Sequence, residues 1–226
     1  MDYKLLTGRE NNELALFEEH LFHKGIIEDF SKLKKQALKE INCDLQVLSS
    51  FRNYETQQRI WLAKESGKRV LNDKKSIPIE FELLSNPQLL EAILYWSAIP
   101  GVSRHHWGTD IDIFDASKLN RESVQLTTLE CIEGGVFEEL HLWLDEKIKT
   151  QSSFGFYRPY DKDRGGTQPE KWHLSHKDIS LPLYNSYTID IFTQNIEESN
   201  LMLKDLILKN AQDIYHRYFL DINLGV

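Results

Sequence analysis

The chain has 226 residues, a formal net charge of −8 and a hydrophobic fraction of 41%. This is a globular composition, and its acidity disfavours nucleic acid, whose phosphates require clustered Lys and Arg. It contains no run of about 18 apolar residues that could span a membrane. Its start, MDYKLLTGRE, lacks a basic region followed by an apolar stretch, so the expected location is the cytoplasm.

Residues 26–41 carry apolar side chains at helical spacing (Ile26, Ile27, Phe30, Leu33, Ala37, Ile41), and DLQVLSS after them reads as a short strand. Cys43 lies between the two; neither it nor Cys131 has C-x-x-C spacing, and both read as reduced buried thiols. A helix is expected over about 54–66, then a polar loop containing NDKKSIP. QLLEAILYWSA predicts a helix over 88–98, stopped by Pro100-Gly101. TDIDIFD alternates, with Ile111 and Ile113 on one face and Asp110 and Asp112 on the other, as in a strand. Residues 135–149 form an amphipathic helix pattern with Phe137, Leu140, His141, Leu144 and Ile148 on one side. FGFYRPYDKDRGGTQPEKWHL reads as strand, turn-rich loop, strand. From about 194 to 220 the pattern is amphipathic helix, in one piece or two. Its stripe of Leu203, Leu206, Ile207, Ile214, Tyr215 and Tyr218 is expected to pack on the domain, with dimerisation as the alternative. Helices and short strands alternate without a βαβ rhythm, so the fold class is α+β, in a single domain over 1–226.

Three clusters carry chemistry. SRHHWGTDID places His105 and Asp112 seven residues apart across a glycine turn, and two carboxylates on one strand face are costly to bury without a cation. PEKWHLSH adds Glu170 and His173. His105, Asp112 and His173 make the three protein ligands of a catalytic zinc site, and Glu170 is then a carboxylate free to accept and return a proton. SSFRNYETQQ places Arg52 before a helix on which Tyr54, Gln57 and Trp61 share a face. Arg52 is suited to an oxyanion or a substrate carboxylate, unless it simply pairs with Glu55 on the surface. His106 diverges from its neighbour His105 and is not expected to bind the same ion. His176 faces away from His173 on a strand, His141 reads as a core histidine, and Trp107 and Trp172 read as walls of the site.

RNYETQ (52–57), SRHHWGTDID (103–112) and EKWH (170–173) together resemble the LAS zinc peptidases, a superfamily named for lysostaphin, D-alanyl-D-alanine metallopeptidases and sonic hedgehog. The resemblance is strongest to the VanY-type D-alanyl-D-alanine carboxypeptidases, which carry R-x-Y-x-x-Q, S-x-H-x-x-G-x-A-x-D and E-x-W-H in this order. It covers about residues 26–176 and leaves a C-terminal helical extension from about 188. It implies a hedgehog/DD-peptidase-like fold, a small, mostly antiparallel sheet flanked by helices. It also implies one Zn2+ on His105, Asp112 and His173, with Glu170 as catalytic base and Arg52 at the substrate carbonyl or transition state. Gln57, Ser103 and Tyr54 would lie at the substrate. Asp110 departs from the pattern, which has a small residue there; it is expected to orient a ligand histidine or a substrate amine, or to pair with Arg104. A substrate carboxylate would need Ser103, Arg104 or Arg158.

The function so implied is a zinc carboxypeptidase that removes terminal D-alanine from peptidoglycan-derived peptides, acting as an L,D-carboxypeptidase on tetrapeptide muropeptides during cell-wall recycling. A D,D-carboxypeptidase on D-Ala-D-Ala termini, a phage-type endopeptidase and a non-catalytic zinc-stabilised binding domain are the alternatives. The expected partner is a D-Ala-terminated peptide, with no nucleic acid or membrane, and the chain is expected to be a monomer or homodimer.

Overall fold

The computed structural model describes residues 1–225. The chain starts with one helical turn, α1 (Tyr3–Leu6), and a hairpin, β1 (Leu14–Phe17) with β2 (His20–His23). Helix α2 (Ile27–Ile41) buries Phe30, Leu33 and Ala37, and ends where Asn42 turns left-handed. Strand β3 (Leu45–Ser49) follows, then α3 (Tyr54–Glu65), whose start is capped by the Asn53 side chain accepting from Thr56 N at 2.9 Å. The NDKKSIP loop joins two short strands, β4 (Leu71–Asn72) and β5 (Pro78–Ile79).

Helix α4 (Asn86–Leu94) stops four residues before the expected end. The chain leaves the helix because its next carbonyls have tertiary partners: Tyr95 O accepts from Gln168 N at 3.0 Å and Ala98 O from Gln57 Nε2 at 2.7 Å. A 3-10 turn, Arg104–Trp107, leads into β6 (Asp110–Asp115). After a short α5 (Thr128–Cys131) come α6 (Glu138–Lys149), β7 (Phe156–Tyr157) and β8 (His173–His176). The tail is α7 (Lys177–Ser186), α8 (Ile189–Glu197), α9 (Lys204–Lys209), α10 (Ala211–Tyr215) and a π-helical turn at His216–Leu220. Helix α7 falls between the expected elements and carries Pro182 in its interior.

The main sheet has the order β3-β6-β8-β7, and every neighbouring pair is antiparallel. One face is apolar. Ile111, Ile113, Leu174, Leu45 and Val47 pack there against Phe30 and Leu33 of α2 and Leu140 and Leu144 of α6. A second core lies among the helices, where Trp61, Ile93 and Trp107 meet Phe192, Ile207, Ile214 and Tyr218 of the tail. The fold is thus α+β, and the tail packs on the same chain. Two of its contacts fix the segment leading into the 3-10 turn: Asn195 Nδ2 donates to Pro100 O at 2.7 Å, and Tyr187 OH to Gly101 O at 2.8 Å.

Candidate active site

The register of the sheet builds the centre. Asp112 of β6 stands opposite His173 of β8, and Asp110 opposite Ser175. Cross-strand partners share a face, so these four side chains lie on the polar face while Ile111 and Leu174 go to the core. His105 arrives from the 3-10 turn, which ends at Gly108 in the left-handed conformation (φ 70°). A Cβ at Gly108 would stand 2.6 Å from Leu14 Cδ2 and 2.8 Å from His23 N, so the turn fits under the β1–β2 hairpin only with glycine.

Donor atoms of His105, Asp112 and His173 lie within 4.8 Å of one another. His105 Nε2 is 3.4 Å from Asp112 Oδ2, and His173 Nδ1 is 3.4 Å from Asp112 Oδ1. Donors on a tetrahedral zinc stand about 3.3–3.4 Å apart, given bond lengths of 2.0–2.1 Å. Hydrogen bonds set both imidazoles for this task. His105 Nδ1 donates to Ser50 O at 2.8 Å, which leaves Nε2 buried without a hydrogen-bond partner. His173 Nε2 donates to Asp110 Oδ1 at 3.0 Å, which turns Nδ1 toward Asp112 and Glu170.

The charges agree with a cation. Burial works against an ionised Asp112, yet His105 and His173 hold its carboxyl far below the usual range. Burial likewise disfavours a charged His173, but its bonds to Asp110, Asp112 and Glu170 raise its pKa well above the ordinary value. A histidine ringed by three carboxylates marks a place where positive charge is wanted, and the donor set fits zinc.

Asp110 resolves into a support for His173. It is fully buried, behind His173, and does not line the cavity, so its expected contact with substrate is corrected. It accepts from Arg104 Nε at 2.8 Å, Thr109 Oγ1 at 2.7 Å and Ser175 Oγ at 3.0 Å, besides His173. A carboxylate on the far nitrogen of a ligand histidine fixes the ring and raises its basicity.

Arg52 sits at the near edge of the same centre. Its Nη1 donates to Gln57 Oε1 at 2.9 Å, and its Nη2 is 3.9 Å from Asp112 Oδ2. The alternative pairing with Glu55 does not occur. Glu170 Oε2 lies 3.3 Å from His173 Nδ1, and burial pushes its carboxyl above the ordinary value, against the pull of His173 and Arg52. These residues open on a cavity of about 370 Å3 that Gln57, Ser103 and Trp172 also line.

Two further substrate expectations are corrected. The Tyr54 ring lies under the Arg9 guanidinium, 4.0 Å from its centroid, away from the cavity. Arg158 also lies outside it, bonded to Asp145 and to Lys171 O at 2.7 Å. Arg104 borders the cavity but brings its own counter-ion, Asp110. His106 faces away, with Nδ1 donating to Arg52 O at 2.6 Å and Nε2 accepting from Gly101 N at 3.0 Å. Trp107 is core; its place in the wall is taken by Trp96, stacked on Trp172 at 6.3 Å.

Sequence reasoning missed Tyr160, Lys64 and Arg69, which line the cavity. The Tyr160 ring packs edge-on against His173 at 5.0 Å, and burial pushes its hydroxyl up to about 12. Lys64 was within reach, because it continues the Gln57–Trp61 helix face by one more turn.

The sequence profile of the family described as VanY, D-alanyl-D-alanine carboxypeptidase, matches residues 19–179. The chain belongs to this family. The VanY match takes in the sheet, His105, Asp112, His173, Glu170 and Arg52, and leaves the helices after Ile179 outside. An uncharacterized protein of Haemophilus influenzae is 31% identical over 125 residues, which are 53% of this chain and 92% of that protein. A second H. influenzae protein, also uncharacterized, is 32% identical over 101 residues, 42% of this chain and 68% of its own.

Solved structures share the fold. The VanY D,D-pentapeptidase of a VanB-type vancomycin resistance cassette, solved as a variant with Zn(II), superposes with a TM-score of 0.51 at 24% identity, covering 78% of this chain and 85% of that one. VanYB in complex with D-alanine-D-alanine gives 0.53 at 20%, covering 85% and 92%. The LdcB LD-carboxypeptidase gives 0.51 at 22%, covering 79% and 76%.

Proposed function

We propose that this member of the VanY family is a zinc-dependent carboxypeptidase that removes the terminal D-alanine from peptidoglycan-derived peptides. The observation that carries the reading is the convergence of His105, Asp112 and His173 with Glu170 and Arg52 on one cavity. Zinc held by the three ligands would supply Lewis acidity and make water nucleophilic near neutral pH. Glu170 takes the proton of the attacking water and returns it to the departing amine; a carboxyl raised by burial suits both transfers. Arg52, steadied by Gln57, stabilises negative charge on the scissile carbonyl oxygen. Trp96 and Trp172 wall the site and limit water.

Within this activity we place the chain as an L,D-carboxypeptidase on tetrapeptide muropeptides, working in the cytoplasm on fragments returned from the wall. The net charge of −8 supports small soluble peptides over anionic wall polymers as substrates. Cleaving pentapeptide precursors in that compartment would deplete wall synthesis, which favours the tetrapeptide. The family's description favours the second reading, a D,D-carboxypeptidase on D-Ala-D-Ala termini.

Zinc-loaded protein incubated with muropeptide tri-, tetra- and pentapeptides, with products weighed by mass spectrometry, separates the two. Loss of one alanine from tetrapeptide alone is expected. Loss from pentapeptide alone would replace the first reading with the second, and no product from any of them would overturn both.

A further inference from the structure

Lys64 lies two turns along α3 from Gln57, on the same helix face. Its side chain is buried, at 8% exposure, and its ammonium donates to Ser97 Oγ at 2.7 Å. Among the described residues no carboxylate pairs with it. An ammonium has three donors, and a buried one without a counter-ion is costly. Burial, with Arg69 and Arg52 as like charges nearby, lowers its pKa to about 8 against the more distant pull of Glu170, which does not pair with it.

The position of this charge is informative. Gln57 Nε2 donates to Ala98 O, and Gln57 Oε1 holds Arg52. The ammonium of Lys64 is tied to the adjacent residue, Ser97. Lys64 and the Arg52–Gln57 pair are therefore anchored side by side on one segment and face one cavity. Exposed Arg69 continues this cationic wall just before β4. Arg52 is engaged with Gln57 beside Asp112, and Arg104 has Asp110. Among the described residues, Lys64 is the buried cation of this cavity with no carboxylate paired to it.

We propose that Lys64, assisted by Arg69, forms the subsite that binds a substrate carboxylate next to the scissile bond, and not the α-carboxylate of the more distant γ-linked glutamate, and so sets specificity. This rests on the peptidase reading above. Such a peptide offers two carboxylates near the scissile bond: the free C-terminus, and the side chain of a diamino-dicarboxylic residue preceding the terminal D-alanine.

Four peptides distinguish the sources. They are L-Ala-γ-D-Glu-X-D-Ala with X as meso-diaminopimelate or L-lysine, each as the C-terminal acid and as the C-terminal amide. Their affinities are measured by calorimetry on zinc-loaded Glu170→Ala protein, with and without Lys64→Met, so that turnover is not needed. If the subsite takes the C-terminus, Lys64→Met weakens both acids about 10- to 100-fold, as expected for a lost charged hydrogen bond, and leaves both amides unchanged. If it takes the side chain, the loss follows diaminopimelate in acid and amide alike and spares the lysine peptides.

An equal loss on all four peptides, or no loss on any, overturns the proposal. Arg69→Gln, at an exposed position, should give the same pattern at smaller size, and it decides the matter should Lys64→Met not fold. Failure of the peptidase reading would show separately, as no cleavage of any peptide by the unaltered protein while the discrimination in binding persists.

Discussion

On the sheet side of the cavity the imidazoles of the candidate metal site are held from behind. His105 is fixed by Ser50 O, His173 by Asp110, and Asp110 in turn by Arg104, Thr109 and Ser175. On the helical side, Lys64 has one neutral acceptor and Arg69 stands at the surface. The first arrangement is rigid before anything binds, as a metal site with fixed donor geometry requires. The second leaves an ammonium with no paired carboxylate among the described residues, and on our proposal a substrate anion completes it. Glu170 and Arg52 stand where the two meet: both touch the ligand cluster, and both face the cavity.

The sharpest way to break this contrast is at Glu170. Glu170→Ala should retain zinc, measured by metal analysis, while kcat/KM on D-Ala-terminated peptides falls about 10²- to 10⁴-fold. His105→Ala should lose the metal itself. If Glu170→Ala also came out metal-free, Glu170 would belong to the rigid side as a ligand, and the division would be misdrawn.

Arg52 comes next. Arg52→Ala should lower kcat about 10²- to 10³-fold with zinc content unchanged, the scale of a lost oxyanion donor. Arg52→Lys should recover little, because an ammonium lacks the planar fork that grips Gln57 Oε1 while reaching toward the carbonyl. A kcat unchanged in Arg52→Ala would leave Arg52 as a mere partner of Asp112.

The same division explains what the sequence made legible. The rigid side is local and patterned. The alternation in TDIDIFD fixes which face Asp112 takes, and Ile111 and Ile113 commit the opposite face to the core. The family pattern already left Asp110 to a ligand histidine or to Arg104, and it bonds both His173 and Arg104; Ser175 was out of view, because it reaches Asp110 only once β6 and β8 pair. The helical side is less legible. A lone lysine near the end of a helix usually reads as solvated surface, and Lys64 is buried only because α3 packs against the chain leaving α4. Tyr54 and Arg158 misled for the converse reason: their partners, Arg9 and Asp145, are far away in sequence and draw them off the cavity.

Asp110 tests the rigid side. Asp110→Ala should raise the zinc dissociation constant about 10- to 100-fold, measured by competition with a chelator, because His173 loses its orienting acceptor. It should also destabilise the fold, since Arg104 would keep its charge in a buried place without a counter-ion. Unchanged zinc affinity would mean that the Tyr160 ring and the strand register hold His173 unaided.

The smallest expected effect lies on the helical side, in the pH dependence of stability. The pKa of Lys64 is about 8 in the folded chain, below its ordinary value of 10.5. Between those values the unfolded chain binds more protons than the folded one, so stability rises with pH there. Below about 8 both states carry the charge, and the folded one bears its full cost. Relative to Lys64→Met, the unaltered protein should therefore gain up to about 1.4 kcal/mol between pH 8 and 9, measured by urea unfolding. A bound carboxylate would supply the missing counter-ion, raise the pKa of Lys64 and flatten that slope. Parallel curves for the two proteins without peptide would mean that the ammonium already has an anion, and that the two sides of the cavity differ less than the geometry indicates.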